Sequence, residues 1–208
     1  MENKTVVITG STGGVGRALV NLFSNKRWNV IELGGKRNID IKNYEQVKRK
    51  FSEISKVDLL INNAAIFKSE YLSNCSEIDV DNIIDTNLKG IIYCTMECLK
   101  LMNTGRIINI SSVAGLHGIP KQSLYCASKH GMNGFFDALG KENKNILIST
   151  INPGGIDTPL WNSDNPYGGD TDKLLKPDDI ANLVNYISEL PDNVVFKEAT
   201  LFPKNEEH

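Results

Sequence analysis

The sequence predicts an α/β fold with a mostly parallel sheet and helices on both faces. Three observations lead there. Short apolar, β-branched runs alternate with segments of helical period along the chain. The first run, Thr5-Val-Val-Ile-Thr9, ends in a glycine-rich turn, Gly10-Ser-Thr-Gly-Gly-Val-Gly16, and a helix follows at once. Later runs end in small polar turns such as Asn62-Asn-Ala-Ala65 and Ser111-Ser112. Ligands bind at such strand ends in open α/β sheets.

Residues 5–9 read as a buried parallel strand. Val15, Ala18, Leu19, Leu22 and Phe23 form one stripe of the helix after it. Strand, glycine turn and helix together put exposed N–H groups where a phosphate can sit. The spacing is not Gly-x-Gly-x-x-Gly, and no Gly-Lys-Ser/Thr follows, which argues against a P-loop. A bare glycine cluster could be only a tight turn, but its place after the first strand favours nucleotide binding.

Residues 30–33 are expected as the second strand. The segment 34–38 is too short for a helix, and a brief third strand is expected at Ile39-Asp-Ile41. Asn43 then caps a helix with Tyr44, Val47, Phe51 and Ile54 at helical spacing. Residues 57–61 form the next strand, and 69–79 read as irregular. From Asp81 a long helix presents a broad apolar face as far as Met102, interrupted at Asn87 and Gly90. An asparagine inside a helix competes for backbone bonds, so Asn87 is either a surface residue or a site residue at a distortion. Residues 106–110 are a strand, and the helix with Tyr125 and Lys129 runs on through Phe135, Phe136 and Leu139. Residues 146–151 are a strand, followed by Asn152-Pro-Gly-Gly155. The segment 158–176 shows no period. Pro177-Asp-Asp-Ile180 opens a helix running to about Leu190, with acids that suit its dipole. Residues 199–202 are expected as the last strand.

At 208 residues, with no repeat or linker, the chain is expected to be one domain, 1–208, with a short lid at about 158–176. Lys plus Arg is 23 and Asp plus Glu is 25, a net charge of -2, which gives no hint of nucleic acid or an anionic membrane as partner. No apolar run approaches the roughly 18 residues of a membrane span. The N-terminus runs straight into a strand and leaves no room for a signal peptide. Cys75, Cys94, Cys98 and Cys126 form no metal spacing with the three histidines and read as reduced thiols of a cytoplasmic protein.

Tyr125-Cys-Ala-Ser-Lys129 puts a phenol and an ammonium one turn apart on one helix face. A phenol with a pKa near ~10 is a poor acid or base at neutral pH, and a nearby ammonium is expected to lower that value. Facing a cleft, the pair can give or take a proton. Alone it could be an ordinary amphipathic helix.

In order along the chain stand Thr9-Gly10-x-x-x-Gly14-x-Gly16, Asp40, Asn62-Asn63-Ala64, Asn87, Ser112, Tyr125-x-x-x-Lys129, Pro153-Gly154 and Thr158. In this order the chain resembles a classical short-chain dehydrogenase/reductase over nearly its whole length. The resemblance implies a Rossmann-type, doubly wound sheet and an oxidoreductase moving hydride between a nicotinamide cofactor and a carbonyl or alcohol. It implies that Tyr125 donates or accepts the proton and that Lys129 lowers its pKa and holds the nicotinamide ribose. Ser112 would bond the substrate oxygen, with Ser111 as rival, and Asn87 would hold a relay water. Cofactor contacts would come from Gly10, Ser11, Thr12, Gly14, Val15 and Gly16, and from Asp40 and Ile41 beside the adenine. Asn63, Ala64, Ala65, Pro153, Gly154, Ile156 and Thr158 would line the rest of its path. Trp161, Tyr167 and His117 are candidates for the substrate pocket, and Asp58 is expected to support a turn.

Eighteen residues beyond Gly16 stands Gly34, where an NAD-preferring enzyme places a carboxylate. Lys36 and Arg37 follow and suit a 2′-phosphate, so NADP(H) is favoured over NAD(H). The chain departs from the family at Ala65, usually glycine, in the missing helix between the second and third strands, and in a short lid and C-terminus. A non-catalytic NADP-binding sensor is the alternative; an epimerase would need a larger C-terminal part. The family also implies a homodimer or homotetramer, with Ile92, Met96, Leu99, Phe135 and Phe136 as interface candidates.

Overall fold

The computed structural model describes residues 3–34, 39–162, 164, 166–168 and 170–204. Its centre is one six-stranded, all-parallel sheet in the order β2-β1-β3-β4-β5-β6. The strands are β1 (Thr5–Thr9), β2 (Asn29–Leu33), β3 (Leu59–Asn62), β4 (Gly105–Ile110), β5 (Ile146–Pro153) and β6 (Glu198–Leu201). The helices are α1 (Gly14–Asn25), α2 (Tyr44–Phe51), α3 (Glu77–Ile84), α4 (Ile91–Leu99), α5 (Ser123–Glu142) and α6 (Pro177–Ser188).

Strand alternation sorts the core into two layers. On one face Val7, Leu60 and Ile107 meet Val47 and Phe51 of α2, Ile91 of α4 and Phe136 of α5. On the other, Val6, Ile8, Ile61 and Ile108 meet Leu19 and Phe23 of α1 and Ile180 and Val184 of α6. This is the expected Rossmann-type, doubly wound arrangement. Each fully buried Leu, Ile or Phe contributes roughly 1.5–3 kcal/mol. The chain order reverses beside β1, so the ends of β1 and β3 diverge into a crevice.

Three expectations need correction and one is refined. Residues 39–41 form no strand. A parallel neighbour to β2 needs a crossover of about a dozen residues, and only 34–38 separate it from Leu33. Ile39 and Ile41 are instead buried side chains of the α2–α4 layer. Second, α3 begins at Glu77, inside the segment read as irregular. Its start is a capping box: Asp79 Oδ2 accepts from the Ser76 amide at 2.8 Å, and Ser76 Oγ accepts from the Asp79 amide at 3.2 Å. Ile78 and Val80 are exposed there, which hides the apolar period.

Third, the interruption expected at Asn87 and Gly90 is present, in the form of a π-turn and not a break. Residues Asp85–Gly90 wind as a π-helix between α3 and α4. A Cβ on Gly90 would lie 2.8 Å from Ile41 Cγ1, so this glycine admits the 39–41 segment against the helix. Fourth, Phe136 is not an interface candidate, being 2% exposed and part of the chain's own core. Phe135 and Leu99 also pack on that core, while Met96 is 43% exposed.

Among the described residues of 158–176 there is one 3-10 turn, Thr171–Lys173, capped by Asp170, and a bridge ties Ile156 to Leu175. Asp58, expected to support a turn, instead ties the approach to β3 to the start of β1: its carboxylate accepts from the Thr5 amide at 2.9 Å and pairs with Lys56 at 2.6 Å. Among the described residues no helix is long and apolar enough to cross a membrane.

Candidate active site

The glycine turn is held by hydrogen bonds between the end of β1 and the residues just after β3. Thr9 Oγ1 accepts from the amides of Asn63 and Ala64 at 2.9 and 3.0 Å. Asn63 Nδ2 donates back to the carbonyls of Thr9 and Gly10 at 3.0 and 3.1 Å. Gly10 has φ +64, and a Cβ there would stand 2.6 Å from Ala64 Cα. A Cβ on Gly16 would lie 2.1 Å from the Gly10 carbonyl oxygen. These two positions therefore require glycine. Helix α1 starts beside them with no side-chain cap and no acid in its first turn, which leaves its N–H groups to an anion.

The second half of the site rests on α5. Tyr125 is 7% exposed and Lys129 1%, one turn apart as expected. Lys129 Nζ donates to the Ile110 carbonyl at 2.9 Å and lies 5.7 Å from the Tyr125 ring centroid. Burial brings the Lys129 ammonium down to about 7. Burial also pushes the Tyr125 phenol up to about 12, with the Ser112 hydroxyl opposing and Cys126 adding to the rise. The direction is opposite to that expected from the Tyr–Lys spacing, because removal from water outweighs the neighbouring groups.

Ser112 caps a short turn, its Oγ accepting from the Ala114 amide at 3.1 Å. Ser111 is 4% exposed, and its Oγ is buried without a hydrogen-bond partner. Asn87 is fully buried in the π-helix. Its Oδ1 accepts from the Ile66 amide at 2.8 Å, and its Nδ2 donates to the Ile66 carbonyl at 2.9 Å and to Ser128 Oγ at 3.2 Å. Ser128 in turn donates to the Tyr125 carbonyl at 2.7 Å. A π-turn at a site residue is a recurrent device.

A cavity of about 1010 Å³ joins the two halves. Gly10, Thr12, Gly14, Val15 and Gly16 line one end, with Asp40 and Ile41 beside them. Asn63, Ala64 and Ala65 line its middle, and Ser112, Tyr125 and Lys129 its far wall. Pro153, Gly154, Ile156 and Thr158 complete it. Thr158 also reaches back to the glycine turn, where a Cβ on Gly14 would lie 2.7 Å from its Cγ2. Ser11 is buried behind this lining with an unpartnered Oγ, and the Asn87 side chain likewise stands behind it. Lys36 and Arg37 lie outside the described residues.

Of the suggested pocket residues, Trp161 and Tyr167 line the cavity, whereas His117 is exposed and does not. The sequence reading missed Phe67, Ile119 and Gln122, which also line it. Phe67 follows the Asn62–Ala65 turn closely, and that was the available signal; Ile119 and Gln122 carried none.

The family model for short chain dehydrogenases matches residues 36–167. A 3-oxoacyl-[acyl-carrier-protein] reductase FabG of Rickettsia bellii is 32% identical over 217 aligned positions, 90% of each chain. A 3beta-hydroxysteroid dehydrogenase of Mediterraneibacter gnavus is 34% identical, over 76% of this chain and 68% of that protein. Among solved structures, the closed form of a serine dehydrogenase complexed with NADP+ superposes with a TM-score of 0.88 at 26% identity, covering 98% and 96% of the two chains. The chain belongs to the short-chain dehydrogenase family, and it is an oxidoreductase of that family.

Proposed function

We propose that this oxidoreductase interconverts a carbonyl compound and its alcohol with a nicotinamide dinucleotide, NADP(H) in preference to NAD(H). In this reading Tyr125 is the general acid and base, within one catalytic domain spanning 1–208. One observation carries it: a single cavity connects the glycine turn of α1 to Tyr125, Ser112 and Lys129.

The residues fit such a cofactor. The uncapped first turn of α1 offers N–H groups to a pyrophosphate, and Gly10, Gly14 and Gly16 let the backbone approach it. Asp40 and Ile41 lie beside that turn on the adenine side, with Ala65 and Thr158 further along the path. When bound, the dinucleotide supplies the hydride in reduction and takes it up in oxidation. The chain handles the proton. The Tyr125 phenol is protonated at neutral pH and can donate to a carbonyl oxygen, while burial makes it a weaker acid than a free phenol. Ser112 stands beside it to hydrogen-bond the same oxygen. Lys129 titrates near neutral pH and sits one turn below, placed to pass a replacement proton. Asn87 holds Ile66 and Ser128, and through Ser128 it positions Tyr125.

The cofactor preference rests on charge. Gly34, just past the end of β2, offers no carboxylate, and Glu32 does not line the cavity. Lys36 and Arg37 follow in the sequence and suit a 2′-phosphate. The NADP+ in the serine dehydrogenase structure supports the same choice. Titrating NADPH and NADH by cofactor fluorescence, with wild type and a Lys36→Ala/Arg37→Ala variant, tests it; tighter NADH binding in the wild type contradicts the preference. Incubation with NADPH and a carbonyl panel tests the activity, and cofactor binding without consumption favours a sensor. Self-association through α4 and α5, with Met96 at its centre, completes the proposal; a monomeric mass at micromolar concentration contradicts that part.

A further inference from the structure

We propose that the substrate is a neutral carbonyl compound bearing an aryl or fused-ring group, and that the cavity discriminates against anionic substrates. The inference rests on the oxidoreductase reading above and names the substrate class of the same site.

The wall beside the phenol is made of rings. Phe67 stands edge-to-face against Tyr125, with centroids 5.0 Å apart at 87°. The same ring lies 5.1 Å from Trp161 at 71°, and Trp161 lies 5.1 Å from Tyr167 at 60°. Four rings thus run in series outward from the proton donor. They come from the turn after β3, from α5 and from the segment after β5, so only the folded chain assembles them. The Trp161 indole N–H donates to the Ile156 carbonyl at 2.9 Å. Its polar edge is satisfied inside the protein, and it offers the cavity carbon. Ile119, like Phe67, packs against the cluster of Ala114, Tyr125 and Cys126 and adds another apolar surface to the wall.

The polar residues on this side, Ser69 and Gln122, carry no charge. Among the described residues the charged ones lining the cavity are Asp40, Lys42 and Lys129. The first two stand at the glycine-turn end, and Lys42 is engaged by Asn82 Oδ1 at 3.0 Å. The Lys129 ammonium is committed to the Ile110 carbonyl behind Tyr125. Asp157 is turned to Lys176 at 3.0 Å. A carboxylate placed against this wall would lose its water without gaining a cation, which is costly. A flat apolar group would meet ring faces and edges in the geometry that aromatic pairs favour.

The test uses the full chain with saturating NADP+ and three ketones: acetophenone, 4-acetylbenzoate and 2-butanone. Calorimetric titration gives the affinities without any turnover, and rates with NADPH are measured in parallel. Acetophenone is expected to bind at least about tenfold tighter than either of the others. Phe67→Ala should erase most of the advantage over 2-butanone. Phe67→Leu keeps an apolar wall and should keep the discrimination against 4-acetylbenzoate, which decides the matter if the alanine variant does not fold. Equal binding of 4-acetylbenzoate overturns the neutral class, and equal binding of 2-butanone overturns the ring. If NADP+ binds but acetophenone neither binds nor reacts, this inference fails alone. If neither NADP+ nor NADPH binds, the parent reading fails with it.

Discussion

At the β1–α1 end of the cavity backbone packs on backbone; at the Tyr125 end rings pack on rings. The first end is specified within seven residues, where Gly10 and Gly16 approach each other too closely for any side chain. The second gathers Phe67, Tyr125, Trp161 and Tyr167 from across the chain. A backbone cradle accepts a constant group such as a pyrophosphate and tolerates little change. A ring-lined wall can be resurfaced without disturbing the sheet. On this account cofactor recognition is fixed in the first end and substrate range is set in the second.

Substitutions should separate the two ends by size of effect. Gly16→Val is expected to be the most damaging, because its Cβ would fall 2.1 Å from the Gly10 oxygen. Overpacking of this kind costs about 3 kcal/mol, and urea unfolding should show it together with lost NADPH binding. A fully stable variant would mean that the turn can open, and the cradle would lose its rigidity.

Ser112→Ala comes next. If Ser112 donates to the reacting oxygen as proposed, its removal should lower kcat about 10²-fold and leave cofactor affinity alone. Ser111→Ala should be mild, since its buried Oγ has no partner to lose. The reverse ranking would transfer the role to Ser111.

The smallest effect is a pH slope. Lys129 titrates at about 7 when folded and at the ordinary 10.5 when unfolded. Between those values the unfolded chain holds a proton that the folded chain lacks, so this group makes stability rise with pH. The contribution is complete above the unfolded value and is lost as pH falls to about 7. Cofactor-free wild type should therefore gain thermal stability relative to Lys129→Met as pH is raised from 7 to 9. A constant difference between the two would show that the ammonium is not desolvated.

The same contrast explains what the sequence made legible. The strands, the glycine turn and α5 follow local rules of period and steric fit, so they could be placed without the structure. The interruption at Asn87 and Gly90 was legible too, but its form as an Asp85–Gly90 π-helix was not. It depends on Asn87 reaching Ile66, 21 positions away, and on Gly90 admitting Ile41. The strand expected at 39–41 failed for a topological reason, the missing crossover, although its apolar side chains are buried as strand residues would be. Tyr125 and Lys129 were found by spacing, but the rise in the phenol's pKa comes from burial, which spacing does not report. Phe67 went unnoticed because one aromatic residue in a turn has no period.

The central claim is that the two ends share one cavity but divide the work, one holding the dinucleotide and the other moving the proton. Tyr125→Phe tests this most directly, with NADPH affinity and ketone reduction measured on the same preparation. Turnover should fall by about 10²–10⁴-fold while NADPH binds as in the wild type, because only the proton donor is removed. Reduction near the wild-type rate, or a loss of NADPH binding that matches the loss of rate, would contradict the account.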